Sequence, residues 1–289
     1  MKEILDRASE GNYGVAAPNV DNELLVRAAI EAAEEMNAPL ILDVAFMASP
    51  DVFAFGHLCR SLAEQSRIPV AINLDHGASI EQVAKCIQAG FTSVMIDRSS
   101  YPDDENIRDV AEVVKFAHAC GVSVESELGH VGQASQYDVD RDAALTDPEF
   151  AAEYIEKTGV DCLAVAVGTA HGAYPEGFVP YLDFDRLVAI KKATNHFPLV
   201  LHGSSGTDDE SLRKACQLGI NKVNINTDLQ QAAARAWESA EVKFSIFRTA
   251  QQGWKEYLKK MIAIYGSDGK AWEVKPAGLP ATRVPGRRK

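Results

Sequence analysis

The sequence predicts an α/β fold and, within that class, a (β/α)8 TIM barrel. Short apolar runs recur eight times along the chain, each followed by a stretch of helical periodicity. Such alternation implies a parallel sheet with helices packed against it. The length of 289 residues suits a barrel, which needs roughly 250. A doubly wound open sheet is the runner-up. It is weaker because no GxGxxG follows the first strand.

The first strand spans 14–19, and "DNELLVRAAIEAAEEM" (21–36) follows as a helix opening on Asp. The strand 39–44 precedes the helix 49–65. The strand 70–74 precedes "SIEQVAKCIQAG" (79–90), which opens on Ser and closes on Gly. Strands at 93–97, 123–128, 162–168, 199–202 and 222–226 alternate with helices at 103–121, 147–159, 183–195, 208–219 and 227–240. Asp, Ser or Thr at the start and Gly at the end are cap signals. The strands read as continuous apolar runs, as expected of strands covered on both faces. One extra helix is expected over 254–265. The Pro-, Gly- and Arg-rich end "KPAGLPATRVPGRRK" reads as an extended tail. The expectation is therefore a single barrel domain over 1–289, with an extra helix and tail from about residue 250.

The composition, 46% hydrophobic and 24% charged, is that of an ordinary globular protein. A net charge of −12 argues against nucleic acid as a partner, because backbone phosphates need clustered Lys and Arg. It does not exclude a small anionic substrate. Five widely spaced cysteines with no CxxC pair read as reduced thiols, mostly in the core, of a cytoplasmic protein. The start, "MKEILDRASEGNYG", is amphipathic and unlike a secretory signal. No apolar run approaches the roughly 20 residues of a membrane span.

In a barrel, catalytic groups come from the C-terminal ends of different strands. Those ends carry Asn19, Asp75 and His76, Asp97, Glu125 and Glu127, His171, His202, and Asn224 and Asn226. Adjacent strand residues point to opposite faces. Asp75 and His76 can both face the mouth only if the strand ends at or just before His76, and Gly77 permits such a break. A lone histidine at a strand end is commonly satisfied by a backbone hydrogen bond. Three of them, on three strands and each followed directly by Gly, suit a catalytic zinc with an open position. His57, His118, His130 and His196 fall on helices or loops and stay outside this set. "HGSSG" (202–206) and "NINTD" (224–228) each lead into a helix, after the two strands where barrels commonly hold phosphate.

Together these stretches resemble the class II fructose-bisphosphate and tagatose-bisphosphate aldolase family. The likeness runs from about residue 14 to 228 and rests on "PNVDNELLVRAAIEAA", "NLDHG", "AGFTSVMID", "ENI", "AHACGVSVESELG", "TGVDCLAVAVGTAHGAYP", "LDFDRL", "PLVLHGSSG" and "GINKVNINTDL", matched in order and spacing. The resemblance implies metal-dependent, reversible cleavage of a ketose phosphate into dihydroxyacetone phosphate and an aldehyde. It implies that His76, His171 and His202 hold the catalytic zinc and that Asp75 is the proton donor and acceptor. Asp97 and Glu127 match the family's second metal position, for a further divalent or a monovalent cation. Asn19, Gly172, Gly203, Ser204, Ser205, Asn224, Ile225, Asn226 and Thr227 would bind the dihydroxyacetone phosphate half. The segment 129–147 could form a lid. A homodimer or homotetramer is implied as well.

The sequence also departs from the family pattern. Asn73 stands where the family commonly has His, Arg98 where it has Gly, Ser204 where it has Gly, and Ala45 where it has Ser. Gly132-Gln-Ala-Ser-Gln136 replaces Gly-Gly-X-Glu-Asp. No zinc ligand is lost, so the expectation is a retained dihydroxyacetone phosphate end and an aldehyde end free to differ, whether a 6-substituted sugar or a deoxy-keto-acid phosphate. Arg98 either meets an anionic acceptor or pairs with a nearby carboxylate. An isomerase or epimerase using the same enediolate chemistry, and a non-enzymatic binding protein on this fold, are the competing readings.

Overall fold

The computed structural model describes residues 1–132, 145–172, 180–240 and 245–276. The elements run α1 (Lys2–Gly11), β1 (Val15–Pro18), α2 (Glu23–Met36), β2 (Leu40–Ala45), α3 (Val52–Ala63), β3 (Val70–Gly77), α4 (Ile80–Ala89), β4 (Ser93–Ile96) and α5 (Asp103–Ala119). They continue with β5 (Ser123–Leu128), α6 (Pro148–Thr158), β6 (Cys162–Val165), α7 (Phe184–Ala193), β7 (Leu199–Leu201), α8 (Asp209–Leu218), β8 (Ile220–Ile225), α9 (Thr227–Ser239) and α10 (Ile246–Tyr265). All eight strands are parallel, in the order β1-β8-β7-β6-β5-β4-β3-β2. The ring is joined between its two ends where Asn19 bridges Asp43 and the Val20 amide donates to the Asp43 carbonyl at 2.9 Å. This is the expected (β/α)8 barrel.

Several helices begin and end as their cap residues dictate. The side chains of Asn22, Asp51, Ser79, Asp147, Asp183, Asp208 and Ser245 each accept a hydrogen bond from an amide in the first turn. Each such cap contributes about 1 kcal/mol. The expected helices 79–90, 147–159 and 208–219 differ from the observed ones only by the cap residues at their ends. Three differences are larger. The amphipathic start folds as α1. The extra helix begins at Ile246, eight residues earlier than 254, capped by Ser245. And β6 stops at Val165, with the chain turning at Gly168 (φ 111°).

Alternation along the strands separates two environments. Outward residues such as Leu40, Leu42, Ile72, Leu74, Val94, Leu163, Leu199, Leu201 and Val223 pack in the main core between sheet and helices. Each fully buried Leu or Ile there contributes about 1.5–3 kcal/mol. Inward residues change character along the axis. Val15, Ala17, Ile41, Ala71, Cys162, Ala164 and Val200 form an apolar floor, onto which α1 packs Ile4, Leu5 and Ala8. Above that floor the same inward register carries Asp43, Asn73, Asp75, Glu125, Glu127, His202, Lys222 and Asn224, all buried. Buried ion pairs are a poor source of net stability. The outer layer and the floor therefore hold the barrel, and the polar layer is where its chemistry can sit.

Four cysteines are buried and Cys120 is exposed, and all five are free thiols. No helix among the described residues is long and apolar enough to cross a membrane.

Candidate active site

Asp75 and His76 reach the mouth together through a bulge. The β3–β4 register shifts between Leu74 and Gly77, and His76 has a φ of 52°. The expected break is thus present, as an irregularity inside β3. Gly77 then runs so close to the next strand that a Cβ there would collide with the Met95 carbonyl oxygen.

The three histidines meet. Ring centroids are 5.0 Å apart for His76 and His171, 4.7 Å for His76 and His202, and 5.7 Å for His171 and His202. With Glu127 they form a group whose donor atoms lie within 4.8 Å of one another. His76 Nε2, His171 Nε2, His202 Nδ1 and Glu127 Oε2 are all buried with no hydrogen-bond partner outside the group, and within it His202 Nδ1 lies 3.1 Å from Glu127 Oε2. Buried polar atoms without outside partners are costly, and four of them in one place make sense when a cation takes their lone pairs. Three imidazole nitrogens and a carboxylate oxygen are a donor set that suits zinc. Four buried carboxylates line the site: Asp43 and Glu125 beside the ammonium of Lys222, Asp75 beside His76 and Glu127 beside His202. The residues therefore fit a divalent metal ion.

The titration pattern has the same cause. Burial works against charge on His202, but Glu125 and Glu127 outweigh it and push it up to about 10. Burial likewise opposes a charged His76, and Asp75 and Asp97 raise it to about 8. Burial, then the neighbouring His202 and His76, pull His171 down to about 4. Burial would raise Asp75, but His76, His202 and Lys222 hold its carboxyl well below the usual range.

Asp75 is held by amides on both sides. Asn19 Nδ2 donates to Oδ2 at 3.0 Å and Asn224 Nδ2 to Oδ1 at 3.1 Å. Asp97 stands outside the converging group. Its Oδ2 lies 2.7 Å from His76 Nδ1, while its Oδ1 accepts from the Ser99 amide and hydroxyl at 2.9 and 2.8 Å. Of the two residues expected at a second metal position, Glu127 joins the cluster and Asp97 backs a histidine. Arg98 donates to Asp109 at 2.9 Å and to the Asp97 carbonyl at 2.9 Å. His130, left out on sequence grounds, comes within 3.2 Å of the Ser99 hydroxyl.

The two loops after β7 and β8 are tied together. The Ser204 hydroxyl donates to the Asn224 carbonyl at 2.5 Å, and the Gly206 amide to Asp228 at 3.1 Å. Gly203 has a φ of 65°, and a Cβ there would lie 2.5 Å from the Ala170 carbonyl carbon and oxygen. Ile225 packs into the outer core, which leaves only its backbone at the mouth. The start of α8 is capped by Asp208, whereas Asn226 makes no side-chain cap on α9. At the start of α9 the Asp228 amide donates to Ser205 Oγ at 3.4 Å, and the Thr227 amide beside it is left for an anion. Gly172 has a φ of 94° at the edge of the described residues. Most of the expected lid, including residues 133–144, lies outside them.

Asp43 and Lys222 escaped the sequence reading, Asn73 was noted only as a departure from the family pattern, and Glu125 only as a strand residue. Lys222 Nζ lies 3.0 Å from Asp43, 2.9 Å from Glu125 and 2.6 Å from Asn224 Oδ1. For three of the four the available signal was an i, i+2 spacing from recognised residues: Glu125 before Glu127, Asn73 before Asp75, Lys222 before Asn224.

Comparison with known proteins agrees with this geometry. A family model described as fructose-bisphosphate aldolase class-II matches residues 1–270. A fructose-bisphosphate aldolase of Thermus caldophilus is 39% identical, over 93% of this chain and 98% of the relative. One of Geobacillus stearothermophilus is 42% identical, over 82% of this chain and 83% of the relative. The crystal structure of the YdjI aldolase from Escherichia coli K12 superposes with a TM-score of 0.83 at 36% identity, covering 94% of this chain and 98% of that one. The bulged Asp75–His76 tip, the converging histidines and these relatives lead to one assignment: the chain belongs to the class II fructose-bisphosphate aldolase family and is an enzyme of the carbon–carbon lyase class.

Proposed function

We propose that the protein is a zinc-dependent aldolase. It reversibly cleaves a ketose 1-phosphate or 1,6-bisphosphate, of the fructose- or tagatose-1,6-bisphosphate kind, into dihydroxyacetone phosphate and an aldehyde. One observation carries the reading: the buried donor atoms of His76, His171, His202 and Glu127 converge within 4.8 Å of one another beside Asp75, whose Oδ1 is 3.7 Å from His76 Nε2. His76, His171 and His202 would hold the zinc, and the family resemblance carries Glu127 and Asp97 over to a second position for a further divalent or a monovalent cation. Zinc bound there supplies Lewis-acid stabilisation of the negative charge that develops on the ketone half.

The remaining work falls to the chain. Asp75 takes the proton from the C4 hydroxyl to start cleavage and returns it in the aldol direction. Asn19 and Asn224 fix its carboxylate plane from opposite sides. The phosphate of the dihydroxyacetone phosphate half meets backbone amides of Gly203, Ser204 and Ser205 and the start of α9 at Asn226 and Thr227, with Gly172 at the rim. The names carried by the Thermus and Geobacillus relatives make fructose 1,6-bisphosphate the first substrate to try. The reading includes a single barrel domain over 1–289, acting in the cytoplasm as a homodimer or homotetramer.

The test is dihydroxyacetone phosphate release from a panel of ketose 1-phosphates and 1,6-bisphosphates. Wild type and Asp75→Ala are compared with zinc and after chelation. Zinc-dependent release abolished in Asp75→Ala is expected, since general acid–base catalysis is worth about 10²–10⁴-fold. Interconversion of ketoses without aldehyde release would sink the reading in favour of an isomerase.

A further inference from the structure

We propose that Glu125 is a positioning residue that fixes the metal-facing nitrogen of His202, and that Lys222 and Asn73 hold Glu125 in place. The inference rests on the metal reading of the four-residue cluster. The ring of His202 is fully buried, with Nε2 2.9 Å from Glu125 Oε1 and Nδ1 among the converging atoms, 3.1 Å from Glu127 Oε2. A neutral imidazole offers one nitrogen to a metal only when the proton sits on the other. With a cation shared by Nδ1 and Glu127, Glu125 accepts the hydrogen bond from Nε2–H and so keeps the Nδ1 lone pair for the cluster. A carboxylate behind a ligating histidine also raises its basicity and fixes the ring plane.

Glu125 is no alternative ligand, because both of its oxygens are committed. Oε1 receives Lys222 Nζ at 3.1 Å besides His202, and Oε2 lies 2.9 Å from Lys222 Nζ and accepts from Asn73 Nδ2 at 3.1 Å. Asn73 Nδ2 also donates to Asp43 at 2.9 Å. The departure of Asn73 from the family's usual His therefore falls in this supporting layer. Lys222 donates onward to Asn224, which donates to Asp75. One buried ammonium thus braces both the metal-holding imidazole and the carboxylate proposed to move the proton. Keeping so many charges in the barrel costs stability relative to apolar residues of the same size, and positioning is the return on that cost.

The test is zinc binding to the full chain, read by competition with a chromophoric chelator, for wild type, Glu125→Gln and Glu125→Asp. The visible spectrum of the cobalt-loaded proteins is recorded alongside. Gln keeps the shape and loses the charge. Asp keeps the charge beside Lys222 and falls one methylene short of His202. Zinc affinity is expected to drop about 10–100-fold in both, with an altered cobalt spectrum. If one variant does not fold, the other carries the test. Affinities within about threefold of wild type and an unchanged spectrum, where a loss of at least about tenfold is expected, would overturn the positioning role and leave the metal reading intact. A wild type that binds neither metal would remove the metal reading itself.

Discussion

Asp97 Oδ2 lies 2.7 Å from Nδ1 of His76, on the side of the ring away from the converging Nε2. The carboxylate fixes which nitrogen of His76 is free, and both groups are half-buried. Removing it should loosen metal binding without removing a ligand. Asp97→Ala is expected to weaken zinc affinity about 10–100-fold, and Asp97→Asn by less, because the amide can still accept through its oxygen. Chelator competition measures this. Wild-type affinity in Asp97→Ala would mean that the ring is held by packing alone.

Arg98 illustrates how a motif departure acquires meaning only in three dimensions. Its guanidinium is engaged by Asp109 and the Asp97 carbonyl, with the ring of Tyr101 5.0 Å below it. Its side chain is only 13% exposed. Such an arginine braces the loop carrying Asp97. Arg98→Ala should reduce cleavage equally for substrates with charged and uncharged aldehyde halves, and destabilise the fold by about 1–3 kcal/mol. A selective loss on the charged acceptor, in parallel kcat/KM measurements, would restore Arg98 as a recognition residue.

The barrel was legible because each strand–helix repeat announces itself in composition and caps. His76, His171, His202 and Asp75 were legible because strand ends of a barrel share one face. The supporting layer was not. Asp43 and Lys222 lie within apolar runs whose reading as buried strands treats every residue alike, and only closure of the sheet brings their inward register together. His130 was hidden for the opposite reason: it sits in a loop with no period to place it, and reaches Ser99 only through the fold.

Gly203 follows His202 and turns the chain into the proposed phosphate loop with a φ of 65°. An added Cβ would strike the Ala170 backbone, which cannot move without dragging His171. Gly203→Ala should cost about 1–3 kcal/mol for the conformation alone, with the collision added to it. Denaturant unfolding should show lowered stability and zinc titration a weakened site. An unchanged midpoint would mean that the β7–α8 loop can reroute.

Lys191 lies far from the mouth and gives a pH signature of its own. Its ammonium is buried and donates to Ser9 Oγ at 2.9 Å, the Phe197 carbonyl at 2.8 Å and Asn221 Oδ1 at 2.7 Å, none of them a carboxylate. Burial pulls its pKa from 10.5 down to about 7. Below about pH 7 the folded and unfolded chains both hold the proton, and the folded state bears the full cost of a buried ammonium. Between about 7 and 10.5 the unfolded chain still binds the proton while the folded chain releases it, so the stability contributed at this site rises with pH. Lys191→Met removes the titration. The stability of wild type minus that of Lys191→Met should be flat below about pH 7 and increase by about 2–3 kcal/mol by about pH 9. Urea unfolding of both proteins across that range measures it, and other titrating groups cancel in the difference. A difference that stays level from about pH 7 to 9 would mean that the three neutral acceptors stabilise the ammonium fully and that Lys191 keeps its proton when folded.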